Sequence, residues 1–189
     1  LPSGTRRLEA VTGDGSTAHT NTWTYWTNGL IKQTTTSGGG WTYTEYDTNN
    51  RPTNVLSAYA TQGPTTDGSL CNLMELSYDR ALVSGSGDAN EAIEFVRPRR
   101  TIERRLGQEI GRHYFVGLQF EHRDIVCVNP GAAWDNSNNL VTITKYVSDT
   151  NTFFLRPKSV LRPDGTLTIF EYATNASQNI ITTISSGQP

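Results

Sequence analysis

The stretch "RHYFVGLQFEHRD", residues 112–124, gathers the residue types that most often do chemistry. His113 and His122 stand nine residues apart, with Glu121 and Asp124 close by. Imidazoles beside carboxylates suit a metal site or an acid–base pair. The spacing matches no ligand motif, however. On a continuous strand His113 and Glu121 face one side and His122 the other. These residues therefore read as polar groups of a strand or hairpin surface, and no metal or cofactor is expected.

The remaining chemical candidates read in the same way. Arg97, Arg99, Arg100, Arg104, Arg105 and Arg112 form a basic cluster, but Glu94, Glu103 and Glu109 are interleaved with it and the net charge is -2. Cross-strand ion pairing explains that pattern, and no nucleic-acid partner is expected. Serines are plentiful, yet no Gly-x-Ser-x-Gly element follows a strand and opens a helix, and no glycine-rich phosphate loop carries a lysine. Trp23, Trp26, Trp41 and Trp134 offer flat faces for sugar stacking. Packing between repeats is the expectation for Trp23 and Trp41. Trp134, in "NPGAAWDNSNN", is the candidate ligand contact. Cys71 and Cys127 sit among apolar neighbours. Paired, they close a loop worth about 4 kcal/mol; unpaired, they are buried thiols of separate strands, and both readings stand at this point.

The elements that position these residues are strands. Hydrophobic content is 35% and charged content 18%, with Thr, Ser, Asn and Gly filling the gap, a mixture that favours strands and turns. No apolar run is long enough for a membrane span. In "WTYTEYDTNNRPTNVLSAYA", residues 41–60, Trp41, Tyr43 and Glu45 point one way while Thr42, Thr44 and Tyr46 point the other. Asp47 to Asn50 is turn chemistry, and Arg51-Pro52 leads into a return strand. The unit recurs. "GGWTYTEY" (39–46) lies over "GTLTIFEY" (165–172), and "RPTNV" (51–55) over "RPKSV" (156–160). Looser copies are "TNTWTYW", "NLMELSYD" and "LVTITKY". Asp14-Gly15, Asn28-Gly29, Gly38-Gly39-Gly40, Asp67-Gly68, Gly85-Ser86-Gly87 and Asp164-Gly165 mark turns between them. Residues 64–70 and 129–139 are longer excursions. Residues 88–96 fit either a short helix capped by Asp88 or a strand. Residues 97–129 read as two or three strands with turns near Gly107 and Phe120–Arg123.

Aromatic-x-x-Tyr-Asp units, a turn, an Arg-led return strand and "RPDGTLTIFEY" resemble the RHS/YD-repeat proteins, over about Thr20 to Ser185. Tyr46-Asp47 with Arg51 matches the family pattern, with Asn50 where the family usually has Gly; Tyr78-Asp79 matches the dipeptide alone. The resemblance implies an all-β fold, in which successive β-hairpins form a curved or spiralling antiparallel sheet, with residues 1–189 as a single segment of a longer array. It implies structural roles for Tyr46, Asp47, Asn50, Arg51, Tyr78, Asp79, Asp164, Gly165 and Tyr172, and none in catalysis. It implies a non-enzymatic, secreted or cell-surface protein related to toxin shells, building an encapsulating β-shell or a self-assembling fibre. Its partners are then further repeats of a parent chain, copies of itself, or enclosed cargo. The chain has no Asp-Pro, the pair found in the family's self-cleavage segment, so no self-proteolysis is expected. The alternative is an adhesin-like module that binds glycans or proteins through loops such as 129–139. The uncharged run "NIITTISSGQP" at the C-terminal end is expected to pair rather than to stand as a free edge.

Overall fold

A computed structural model describes residues 5–11, 18–80, 88, 90, 97–148 and 153–188, with side chains from residue 21 onward. The described residues are all β, with no helix. Thirteen strands run β1 Thr5–Val11, β2 Ala18–Tyr25, β3 Ile31–Thr36, β4 Trp41–Tyr46, β5 Pro52–Ser57, β6 Asn72–Ser77, β7 Arg100–Arg105, β8 Gln108–Leu118, β9 Glu121–Val126, β10 Leu140–Tyr146, β11 Pro157–Leu161, β12 Leu167–Thr174 and β13 Ile180–Gly187. Hydrogen-bonding order follows sequence order throughout, so every connection is a hairpin or a loop back to the neighbouring strand. This is the antiparallel succession of hairpins expected from the sequence. The turns placed at Asp14-Gly15 and Gly85-Ser86-Gly87, and all but Asp88 and Asn90 of the ambiguous 88–96 segment, lie outside the described residues.

One turn design closes five of these hairpins. In the turn 36–40 the amide of Thr36 donates to the carbonyl of Gly40, and that of Gly39 donates back to the carbonyl of Thr36. Gly39 takes a φ of 82°. The same two bonds, with a positive φ at the fourth residue, recur at 26–30 with Gly29, 47–51 with Asn50, 162–166 with Gly165 and 175–179 with Gln178. This is a type I turn followed by a left-handed residue, whose twist matches that of the flanking strands. The connection 147–156 makes the same closure around a longer loop: Val147 N–H donates to Arg156, Leu155 N–H donates to Val147, and Leu155 carries the positive φ.

Two compact units divide the chain: residues 1–77 with 101–111, and residues 78–100 with 112–189. The first buries one face of β4. Trp41 is 4% exposed and Tyr43 8%, and they pack with Leu56 and Cys71, while Thr42 between them faces solvent. The loop 58–71 closes over this face; the Trp41 indole N–H donates to the Gln62 carbonyl at 2.7 Å. The second unit buries Tyr114, Val116, Ile125 and Cys127, with Ala132 and Trp134 of the 127–139 loop laid against them. There the Tyr114 hydroxyl donates to the Ala132 carbonyl at 3.0 Å. Each core is thus one face of a few strands closed by a returning loop.

The shared turn makes opposite predictions for two residues at the same position. A left-handed φ costs a side-chain-bearing residue about 1–2 kcal/mol, and glycine avoids that cost. Gly165→Ala is expected to destabilise by about 1–2 kcal/mol, whereas Gln178→Gly should stabilise by up to about 1 kcal/mol. Urea unfolding of the two variants measures both signs.

Candidate functional site

The repeat proposed from sequence has a geometric counterpart. In the hairpin β3–β4, Gln33 pairs with Tyr43, Thr34 with Thr42 and Thr35 with Trp41. In β11–β12, Ser159 pairs with Ile169, Val160 with Thr168 and Leu161 with Leu167. A single constant shift in numbering maps one set onto the other, and the same shift carries Tyr46 to Tyr172. The Tyr46 hydroxyl donates to the Ile31 carbonyl at 3.0 Å, and the Tyr172 hydroxyl to the Pro157 carbonyl at 2.7 Å. Ile31 and Pro157 again obey that shift. Each tyrosine therefore ties its strand to the first residue of the strand before it. Neither ring is free in solvent; both are half-buried.

The strands that precede these hairpins match as well. β2 and β10 each end in a tyrosine next to a register shift, with Tyr25 opposite Ile31 and Tyr146 opposite Pro157. Tyr46 repeats the arrangement opposite Pro52, so the equivalence of "RPTNV" with "RPKSV" is seen in Pro52 and Pro157. The match ends after Tyr172. Asp47 follows Tyr46 and makes the turn: its Oδ1 accepts the amides of Asn49 and Arg51, and its Oδ2 pairs with the Arg51 guanidinium at 2.7 Å. Ala173 holds the corresponding place after Tyr172 and offers no side-chain acceptor. The strand runs on to Thr174, and Asn175 then makes the turn by accepting the amides of Ser177 and Asn179.

Other positions predicted from sequence are dispersed through the two units. Asp164 caps its turn by accepting the Thr166 amide. Tyr78 is buried, and the chain just beyond Asp79 and Arg80 lies outside the described residues. Cys71 and Cys127 form no disulfide and are both buried, each in its own core; burial and the nearby Asp67 carboxylate push the Cys71 thiol up. Trp134 is half-buried against the second core, and the Asn139 side chain holds its loop by donating to the Ala133 and Trp134 carbonyls.

The histidine reading needs correction. The turn at 119–120 breaks the 112–124 stretch into β8 and β9, so Glu121 pairs with Leu118 and His122 with Gly117, while His113 sits opposite Val126. His113 and His122 thus share a face, far apart along it, and Glu121 is on the other. His122 lies between Phe115 and Tyr146, edge-on to both rings, with Nδ1 3.0 Å from the Tyr146 hydroxyl. Burial and Asp124 push the Tyr146 phenol up, opposed by Arg97. Arg97 stacks on Phe115 and pairs with Asp124, and Arg104 pairs with Glu75 at 2.7 Å. Arg99 is fully buried. No group of three His, Cys, Asp or Glu among the described residues could hold a metal. No described helix is long and apolar enough to cross a membrane.

Two features do stand open. One is the outer strand, β13, whose eight residues are all exposed. With it goes a groove of about 380 Å³ over β10, β11 and β12, lined by Ile143, Lys145, Lys158, Leu161, Leu167 and Ile169. The other is a cleft of about 440 Å³ between the turn 26–30 and the end of β4. The sequence hid this cleft. Alternation puts Glu45 and Tyr46 on opposite faces, but the register shift between them turns both into its wall. No protein-family model matches the chain, and a search of curated proteins finds no match.

Two outcomes follow for the repeat residues. Tyr46→Phe and Tyr172→Phe each remove one hydrogen bond and should cost about 1 kcal/mol by chemical denaturation. Asp47 is pushed up by its burial, but bonds from the Arg51 and Asn49 amides and the Arg51 guanidinium outweigh this and hold its carboxyl below the usual range. A depressed folded-state value stabilises at neutral pH, and the stabilisation is lost as pH falls below about 4. Asp47→Ala should therefore destabilise at pH 7, with the difference from the parent shrinking in acid.

Proposed function

We propose that this chain is a structural, non-enzymatic segment of a hairpin-repeat assembly of the RHS/YD kind, secreted or displayed at the cell surface, that extends by adding hairpins at β13. The observation that carries the reading is that one hairpin occurs twice, once covered and once not. In β4, Trp41 and Tyr43 are buried beneath Leu56, Cys71, Leu73 and the 58–71 loop. Their equivalents in β12 are Leu167 and Ile169. Ile169 is 42% exposed, and Leu161, in the same groove, is 37% exposed. Covering such a face recovers on the order of 1 kcal/mol per side chain.

The open backbone of β13 adds a directional element. A strand with unpaired amides and carbonyls, no charge, and isoleucines at 180, 181 and 184 is a template for another strand. A further hairpin pairing there brings a second row of side chains over the groove, as β6 and its loop do in the first unit. A shell, a spiral or a fibre all grow by that step, and the occupant is a further repeat of the same chain or another copy of it. An unlike-end contact of this sort need not close into a ring. The adhesin-like alternative has less support at Trp134, because that ring packs against the second core.

Sedimentation velocity over a range of concentrations tests the proposal. The 189-residue chain is expected to self-associate. Ile181→Lys with Thr183→Lys should return it to a monomer while leaving its far-ultraviolet circular dichroism unchanged. A parent chain that stays monomeric at every concentration would overturn it.

A further inference from the structure

The two copies of the repeat differ at the aromatic ring of the strand tyrosine. In the second copy the long connection 147–156 brings Phe153 onto Tyr172, with ring centroids 5.6 Å apart and planes inclined by 23°. The same connection places the Arg156 guanidinium 5.7 Å from the Tyr172 ring. In the first copy the connection is the short turn 26–30, which has no residues to spare for this purpose, and Leu30 stands where Arg156 does. Among the described residues no ring stacks on Tyr46. The 440 Å³ cleft lies at this place, lined by Trp26, Thr27 and Asn28 of the short turn and by Glu45, Tyr46 and Asp47.

The chemistry of the cleft matches what is missing. A cavity of this size accepts one ring and a short chain. Its rims are braced: Asn28 Nδ2 donates to Asn50 Oδ1 at 3.1 Å across the two turns, and the Trp26 indole donates to the Thr44 carbonyl at 3.0 Å. Asp47 is neutralised by Arg51. Glu45 is not neutralised. Its Oε2 accepts a hydrogen bond from Asn54 at 2.7 Å, and no cation among the described residues lies within ion-pair distance of it. The cleft thus presents the Tyr46 ring, the Trp26 ring, over which the Lys32 ammonium already sits 4.5 Å from the centroid, and one carboxylate without an ion-pair partner among the described residues. A ring stacks on Tyr46 there as Phe153 does on Tyr172, and an attached cation meets Glu45.

We infer that the cleft between the turn 26–30 and Tyr46 is a recognition site for a peptide segment carrying an aromatic side chain with a basic residue close by, the pairing that Phe153 and Arg156 supply internally in the second copy. The site does not depend on strand addition at β13, which lies elsewhere on the chain.

The test uses acetyl-Phe-Phe-Leu-Arg-amide, the composition of residues 153–156, observed by saturation-transfer difference NMR with the full chain. This readout works whether or not the chain self-associates. The phenylalanine ring protons are expected to receive the strongest saturation. Glu45→Gln should weaken binding about tenfold at low salt, and Tyr46→Leu should abolish it. Tyr46→Phe, which keeps the ring and drops only the hydroxyl bond to Ile31, should retain binding, so a folding defect in Tyr46→Leu does not decide the matter. Acetyl-Leu-Leu-Leu-Arg-amide should not bind. Absence of saturation up to about 10 mM peptide, affinity unchanged by Glu45→Gln, or equal competition by a neutral disaccharide would each overturn the inference.

Discussion

Everything else in this fold depends on a turn that requires a left-handed residue at its fourth position. Two backbone hydrogen bonds close it, and they form only when that residue takes a positive φ. Because the closure is the same at 26–30, 36–40, 47–51, 162–166 and 175–179, successive strands are returned in the same sense. Glycine or asparagine fills the position where local sequence supplies it. Leu155 and Gln178 are held there by the strands on either side, against their own preference.

The turn also determines where side chains gather. Strands ending in Tyr25, Tyr46 and Tyr146 carry a register shift at the tyrosine, and the extra residue redirects one side chain beside the next turn. Tyr46 bonds the preceding strand from such a shift, and Tyr172 makes the same bond from a regular register. What then fills the space by the ring is set by loop length: Phe153 where the loop is long, an open cleft where it is short. Burial follows the same logic. Trp41 and Tyr43 have a loop to cover them, and Leu167 and Ile169 do not.

Much of this was legible in the sequence, for definite physical reasons. Period-two alternation identified Trp41 and Tyr43 as one face, and they are buried. Self-similarity paired Tyr46 with Tyr172 because both side chains make the same bond. Asn50 and Gly165 announced their turns, since few other residues tolerate the backbone there. What escaped notice is what alternation does not encode. The register shift that brings Glu45 and Tyr46 to one cleft leaves no compositional mark. Leu155 and Gln178 occupy a glycine position without being glycine. The reversal expected near Phe120–Arg123 falls at 119–120, between His113 and Glu121, so the continuous-strand alternation that put those two on one face does not apply. The longer excursions at 64–70 and 129–139 were legible as breaks in the hairpin rhythm, but not that the loops containing them each close a core.

The account stands on the claim that β13 is an unfinished edge. Hydrogen–deuterium exchange along residues 180–187 as a function of protein concentration tests it most directly, because alternate amides of an edge strand point away from its only neighbour. At low concentration the outward amides should exchange fast and the inward ones, paired to β12, slowly. Raising the concentration should protect the outward set. Outward amides that exchange at the free rate at every concentration, in a chain that stays monomeric, would contradict the account.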